Sequence, residues 1–455
     1  MPQVKDYKDI VGQSVIDELF AIGEKSRDLK IQHVNSTAVG GGVAEILTRL
    51  VPMMNELGVQ ARWDVIKGGE KFFAITKKMH NALHGVPETF TDDDWAHFME
   101  VDRENARSMN FDNNVVFIHD PQPIGLVEQR EHLDNKWVWR CHIDFSEPRE
   151  NVWLFLKDFI ERFDGAIFSA PAFSRPLKTK QFLISPSIDP LSDKNKDLSD
   201  DFVRDIFDRF GIDRKRPVVT QISRFDYLKD PVGVIKAYRL VKRYIDCQLV
   251  LAGGGATDDP EGEKVLSEVR EAANGDRDVF VLLLPPSSDV EINALQRGST
   301  VVLQKSLREG FGLTVAEAMW KSRPVIASAV GGIPLQIKHK YNGILTHSIE
   351  GTAYWIKQLI NEPNYARELA RNGKEHIRQN FLITRHLRDY LLLSLSLFHD
   401  KDIVYLLFSR EGTEMLRRKA AKSLEFTVTH VPRFYTCELV FCAHLRTYDR
   451  WHPRN

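Results

Sequence analysis

The sequence predicts an α/β chain of two doubly wound, Rossmann-like domains facing a central cleft. Three observations carry that prediction. The chain has 455 residues, too many for one hydrophobic core. Short apolar runs ending in polar residues alternate with amphipathic helical stretches, the pattern of parallel βαβ units. The alternation is interrupted once, around residues 190 to 201, by the polar, proline-containing text DPLSDKNKDLSDD.

In the first half, residues 7 to 29 have helical apolar spacing, including Ile10, Val11, Val15, Ile16, Leu19 and Phe20. The run KIQHVN reads as a strand. STAVGGGVAEILTRLVPMMNELG follows as a glycine turn opening a helix, and GVQARWDVI as a second strand. NVVFIHD (114 to 120) and WVWRCHID (137 to 144) are buried strands with polar ends. VWLFLKDFIERF is an amphipathic helix and GAIFSAP a further strand.

In the second half, strands are predicted at 217 to 225, 248 to 255, 278 to 285, 299 to 306, 323 to 332 and 343 to 348. Helices lie between them, among them DPVGVIKAYRLVKRY with Pro231 in the tolerated first turn. TAYWIKQLINE and YARELARNGKEHIRQNF are helices as well. The expected boundaries are 1–195, 196–375, a helix at 376–400 returning to the first domain, and an atypical tail at 401–455 that takes no assigned fold.

Bulk composition narrows the function classes. Lys and Arg total 62 and Asp and Glu total 63, a net charge of −1, which gives no support for nucleic acid or an anionic membrane as main partner. No apolar run reaches the roughly 18 residues of a membrane span, and MPQVKDYKDIVGQ lacks a signal-peptide core. Cys141 and Cys247 stand alone in apolar contexts and are expected as buried thiols in a reduced, cytoplasmic setting.

The chemistry-bearing residues fall at strand ends, where ligands of such sheets sit. Gly40, Gly41 and Gly42 lie between a strand and a helix; they suit either a phosphate approaching the backbone or a plain tight turn, without the full dinucleotide spacing. Arg224 and Lys229, in SRFDYLKDP, offer two cations for a diphosphate, or a solvated charge pair. His119 and Asp120 end one strand; His142 and Asp144 end another. They are candidates for sugar hydroxyls or proton transfer, with a satisfied structural imidazole as the alternative for each histidine. In REGFGLTVAEAM, Gly310 and Gly312 make a loop whose N–H groups can face an anion. Glu317 follows one turn into a helix, among Val315, Ala316, Ala318 and Met319; it points at a ligand or lies on a solvated face.

SRFDYLKD, VLAGGG and above all the segment from Glu309 to Glu317 resemble the retaining nucleotide-sugar glycosyltransferases of the GT-B fold, and ASAVGGIPLQI (327 to 337) is similar to their next segment. HVNSTAVGGGVAEIL, VVFIHDPQP and WRCHIDFSEP resemble the branch of trehalose glycosyltransferring synthases and trehalose phosphorylases. The resemblance covers about residues 1 to 400. It implies an N-terminal acceptor domain and a C-terminal nucleotide-sugar domain. Arg224 and Lys229 would bind the donor diphosphate, with Gly41 and Gly42 near it. Glu317 would hold the ribose, Glu309 and the amides of Gly310, Phe311, Gly312 and Leu313 the donor glucose. His119 would sit beside the reacting sugar, with His142 and Asp144 on the acceptor side.

The implied reaction is retaining transfer of α-glucose from a nucleotide-diphosphate glucose to glucose, giving trehalose. Phosphorolysis of trehalose is the alternative within enzymes, and a sugar- or nucleotide-sensing protein without turnover the alternative outside them. Retaining hydrolases place a carboxylate nucleophile about 5 Å from an acid; the sequence offers no obvious acid for that role, so a front-face route is expected. No cofactor is required beyond the donor substrate; magnesium is compatible but not indicated, and no metal-ligand cluster appears in the first 400 residues. The partners implied are small sugars and nucleotide sugars, and a homodimer is compatible with the sequence. In the tail, Cys437, Cys442, His444, His430 and His452 match no usual zinc spacing, and a shifted reading frame is the preferred account of its composition.

Overall fold

A computed structural model describes residues 1–38, 41–254 and 260–398, together with the antiparallel strand pair Thr429–His430 and Leu439–Val440. The rest of 399–455, and with it the expectations for the tail, its cysteines and its histidines, lies outside the described residues. The chain forms two compact units, one of Gln3–Lys8, Gly12–Ser185 and the chain from His386, the other of Met1–Pro2, Asp9–Val11 and Pro186–Arg385.

The N-terminal unit holds six strands: β1 (Lys30–Asn35), β2 (Gln60–Val65), β3 (Val115–His119), β4 (Lys136–Arg140), β5 (Gly165–Phe168) and β6 (Lys180–Leu183). They pair in the order β2-β1-β3-β4-β5-β6, every pair parallel. All of β3 and β5 is buried, as expected where helices cover both faces of a parallel sheet. The order reverses between β1 and β3, and this topological switch point is where open α/β sheets place their ligands. Tyr390, from the helix Ile383–Ser396, packs 5.0 Å from the Phe117 ring of β3.

The C-terminal unit repeats the plan with β7 (Val218–Ile222), β8 (Gln248–Gly253), β9 (Val279–Leu283), β10 (Val301–Gln304), β11 (Val325–Ser328) and β12 (Ile344–Thr346). The order is β12-β11-β10-β7-β8-β9, again all parallel, with its switch point between β7 and β10. Successive side chains of β7 point to opposite faces. Val219 packs with Tyr238, Leu249 and Ile356 on one, and Val218 and Ile222 with Val203, Ile206 and Phe207 on the other.

Several local expectations change. The helix expected over 7–29 is two pieces, Lys8–Val11 and Gln13–Lys25, because Gly12 takes a φ of +89°; a 3-10 turn, Val4–Tyr7, precedes them. The edge strand β6 and the helices Glu70–Leu83, Asp92–Ser108 and Asp200–Arg209 carried no expectation. The chain passes between units at Ser185 and Pro186, ahead of the polar stretch that suggested a boundary at 195. Hydrogen bonds account for this. Ile188 N–H donates to Phe381 and Ile383 N–H donates to Ile188, while Asn293 Nδ2 binds the carbonyls of Asp193 and Lys196. Cys141 and Cys247 are buried free thiols, as expected.

Candidate active site

In the C-terminal unit the candidate residues gather at the carboxyl ends of β7 and β10. The turn after β7 is set by Asp226, whose carboxylate accepts from Lys229 N–H at 3.1 Å. Asp230 follows with φ +45° and caps the helix Pro231–Lys242 through Gly233 N–H at 3.0 Å, with Pro231 in the first turn as predicted. Gln221 of β7 ties this turn to the end of β10: its Nε2 donates to Lys229 O at 2.9 Å and its Oε1 accepts from Lys305 N–H at 2.9 Å. Gly253, ending β8, lies so close to this turn that a Cβ there would stand 1.9 Å from Ser223 O.

Lys229 Nζ reaches Glu309 Oε2 at 2.7 Å, and the same oxygen lies 3.2 Å from both Gln304 Nε2 and Ser306 Oγ. Beside this pair, Lys305 is ion-paired with Asp230. Arg224 differs in being 59% exposed, with Asp226 at 3.3 Å, so its guanidinium can swing toward a ligand at little cost.

The loop from Gly310 has a defined inside and outside. Gln336 Nε2 donates to Phe311 O at 2.5 Å and to Gly312 O at 3.3 Å. A trans peptide points its N–H opposite its C=O, so the N–H groups of Gly312 and Leu313 face away from Gln336. Gly312, at φ +81°, caps the helix Leu313–Trp320, whose N-terminal amides favour an anion. Gly332 packs on this loop; a Cβ there would be 2.4 Å from Gly310 O.

Glu317 is 2% exposed, which removes the solvated-face alternative. Gln296 Nε2 lies 3.4 Å from its Oε2 and 3.3 Å from Thr314 O.

In the N-terminal unit three imidazoles form a chain at the β1–β3 switch point and the end of β4. His33 Nδ1 is 3.0 Å from His119 Nε2, and His119 Nδ1 is 3.0 Å from His142 Nε2. His119 is 2% exposed with both ring nitrogens so engaged, whereas His142 is half-buried and stands beyond the end of β4. Burial drives the His33 pKa down to about 3. Burial likewise lowers His119 and His142 well below the usual imidazole range, with Arg140 adding to both. Asp120, at φ +64°, accepts from His142 N–H at 2.6 Å, and burial pushes its carboxyl up to about 7. Asp144 closes a local turn, its Oδ1 accepting from Ser146 N at 3.0 Å and Ser146 Oγ at 2.6 Å, while its buried Oδ2 has no partner among the described residues. Gly41, at φ +78°, opens the helix Gly41–Glu56, where an added Cβ would meet nothing within 4 Å among the described residues, and Gly42 is half-buried; Gly40 lies outside the described residues.

Sequence reasoning did not find His33, Gln221, Gln304, Ser306, Lys305, Gln296 or Gln336. For His33 a signal existed, a histidine inside the otherwise buried strand KIQHVN. For the glutamines none did, because a buried amide is recognised only by what it bonds. No group of three or more His, Cys, Asp or Glu side chains able to hold a metal occurs among the described residues. No helix among them is long and apolar enough to cross a membrane.

Residues 33–175 match the family model "Trehalose synthase, N-terminal domain", and residues 202–376 match "Glycosyl transferases group 1". Over 399 residues the chain is 43% identical to a trehalose synthase of Thermococcus litoralis, covering 86% of this chain and 96% of that one. The chain belongs to the trehalose synthase family. Around that family, a trehalose phosphorylase of Pleurotus pulmonarius is 29% identical over 401 residues, covering 75% of this chain and 54% of that protein. Among solved structures, an α,α-trehalose-phosphate synthase (UDP-forming) of Burkholderia xenovorans has a TM-score of 0.64 at 15% identity, covering 81% of this chain and 100% of that one. That likeness shows the GT-B fold. This member of the trehalose synthase family is a glycosyltransferase, and both parts of the sequence resemblance, fold and branch, are met.

Proposed function

We propose that the enzyme transfers α-glucose from a nucleotide-diphosphate glucose to glucose, with retention, giving trehalose. The observation that carries this reading is the Lys229–Glu309 contact, which brings a cation after β7 and a carboxylate after β10 to one point at the switch of the C-terminal sheet. The close trehalose synthase relatives support the product.

Arg224 and Lys229 bind the diphosphate and stabilise the charge that builds on it as the glycosyl bond breaks. The outward N–H groups of the loop Gly310–Leu313, with Glu309, hold the donor glucose, and Glu317 holds the ribose. Gly41 and Gly42 approach the phosphates. His142 and Asp144 serve the acceptor side, and His119, whose ring nitrogens are taken by its neighbours, acts beside the sugar through His142. In the front-face route the C1–O bond to phosphate breaks as the acceptor oxygen bonds C1 on the same face. The acceptor proton passes to a leaving-phosphate oxygen. No bound metal is needed for these steps, and the enzyme works in the cytoplasm on small-molecule substrates.

The test is product formation from nucleotide-diphosphate [14C]glucose and unlabelled glucose. Labelled trehalose supports the reading. Binding of donor and glucose without product would point instead to a sensing protein. Phosphorolysis of trehalose, favoured by the Pleurotus pulmonarius relative, is the second reading.

A further inference from the structure

The histidine chain has two possible directions. Each N···N pair, at 3.0 Å, needs one N–H and one bare nitrogen, and a neutral imidazole has a single N–H. Burial keeps the three rings neutral, and the Arg140 charge opposes a proton on His119 and His142. If the chain runs outward, His33 Nδ1–H donates to His119 Nε2, His119 Nδ1–H donates to His142 Nε2, and His142 keeps an Nδ1–H. If it runs inward, every ring carries its proton on Nε2.

The ends of the chain decide between them. His33 Nε2 is buried without a partner among the described residues. The ring is held there by Phe117, stacked at 4.9 Å, and by Tyr390 at 5.8 Å. The inward direction would strand an N–H donor at that buried position, the rarer kind of buried orphan. The outward direction leaves a bare imine nitrogen there. At the other end His142 is half-buried, in contrast to His33, so the outer end of the chain is the one open to solvent or ligand.

We propose that His33 is a positioning residue: it gives the His33–His119–His142 chain one direction, so that His142 presents Nδ1–H as a hydrogen-bond donor to an oxygen of the sugar substrate. The buried strand histidine thus sets the protonation pattern of a ring two steps away. Asp120, by accepting from His142 N–H at 2.6 Å, fixes the backbone on which that donor is carried. Only the kinetic consequence rests on the sugar-transfer reading; the direction itself is a property of the ligand-free enzyme.

The experiment is long-range 1H–15N correlation on the full-length, ligand-free enzyme with 15N-labelled histidine, assigned through His33→Asn, His119→Asn and His142→Gln. His119 and His142 are expected with protonated Nδ1 and bare Nε2. Either ring found protonated at Nε2, or doubly protonated at neutral pH, overturns the proposal. His33→Asn keeps an N–H close to the Nδ1 position and should keep the pattern on His119. His33→Leu removes it and should give His119 a mixture of tautomers, with kcat lower by about tenfold and the donor KM little changed. A folded His33→Leu enzyme with an unchanged tautomer pattern also overturns the proposal. If that variant does not fold, the wild-type spectrum decides alone. Failure of the donor assay would leave the spectrum intact, and a contrary spectrum would leave the donor assay intact.

Discussion

The ammonium of Lys229 and the carboxylate of Glu309 are in contact at 2.7 Å, although each side chain follows a different strand of the C-terminal sheet. Both side chains are largely buried, at 17% and 11% exposure. If Lys229 binds the donor diphosphate as proposed, the diphosphate would compete with Glu309 for it, and the carboxylate released is the group proposed to grip the donor hexose. Binding would then convert an internal ion pair into two ligand contacts.

Removing either cation should separate stability from turnover. Lys229→Ala leaves Glu309 without its counter-ion in a mostly buried place, so it should cost on the order of 3 kcal/mol in stability as well as turnover. Arg224 is largely exposed, so Arg224→Ala should shift stability by no more than about 0.5 kcal/mol while lowering turnover by about a hundredfold or more. Denaturant unfolding and initial rates on both variants check this. Near-normal turnover in both would remove the diphosphate assignment.

The two glutamates should divide in calorimetric titration with nucleotide diphosphate alone. Glu317→Ala should weaken binding by about ten- to a hundredfold, the size of a lost charge-assisted hydrogen bond. Glu309→Ala removes the carboxylate that competes for Lys229, so it should leave that affinity undiminished or tighter while depressing transfer. Equal losses would show that the division of labour is wrong.

Glycine substitutions should report how tightly the loop is packed. Gly332→Ala places a Cβ 2.4 Å from Gly310 O and 3.0 Å from Phe311 Cα, both backbone. It should cost about 2 kcal/mol and displace the N–H edge proposed to hold the sugar. Gly41→Ala meets nothing within 4 Å among the described residues, and its φ of +78° resists the change, for about 1 kcal/mol. Thermal midpoints give the comparison; a Gly332→Ala enzyme as stable and active as wild type would contradict the packing argument.

The buried histidines and Asp120 give stability opposite dependences on pH. His33, His119 and His142 have folded pKa values below the usual 6.5, so the unfolded chain takes up protons first and their contribution is lost as pH falls through that value. Asp120 has the opposite sign. Its folded pKa of about 7 lies above the usual 3.8, so between those values the folded state holds a proton that the unfolded state lacks, and acid favours folding through it. Asp102, also raised by burial, acts in the same sense as Asp120. Asp120→Asn keeps an oxygen for His142 N–H and removes the offset. Its stability should fall more steeply between pH 6.5 and 5 than that of the parent, by on the order of 1.4 kcal/mol per pH unit. Parallel slopes in denaturant titrations would contradict the buried carboxyl assignment.

The alternation of apolar runs was enough to read both sheets, because parallel strands covered on both faces are written as continuous hydrophobic text. It could not place β6, a four-residue edge strand, Lys180–Leu183, with a mixed pattern. Glu309 and Glu317 stood out through the glycines around them, and burial of Glu317 follows from its apolar neighbours. The side chains that hold them and the loop between them did not stand out. Gln304, Gln296 and Gln336 come from three different elements, and their contacts depend on the pairing of β10 with β7 and on how the helices close over it. The histidine chain was hidden for the same reason: His33, His119 and His142 are far apart in sequence and meet only because β1, β3 and β4 are neighbours.

The central claim is that the phosphate leaving group belongs to a nucleotide. The direct measurement runs the reaction backwards from trehalose, offering either a nucleoside diphosphate or inorganic phosphate, and identifies the glucose donor formed. The account predicts nucleotide-diphosphate glucose and free glucose in equal amounts with the nucleoside diphosphate, and no turnover with phosphate alone. Glucose 1-phosphate formed from trehalose and phosphate, with no reaction of the nucleoside diphosphate, would contradict it.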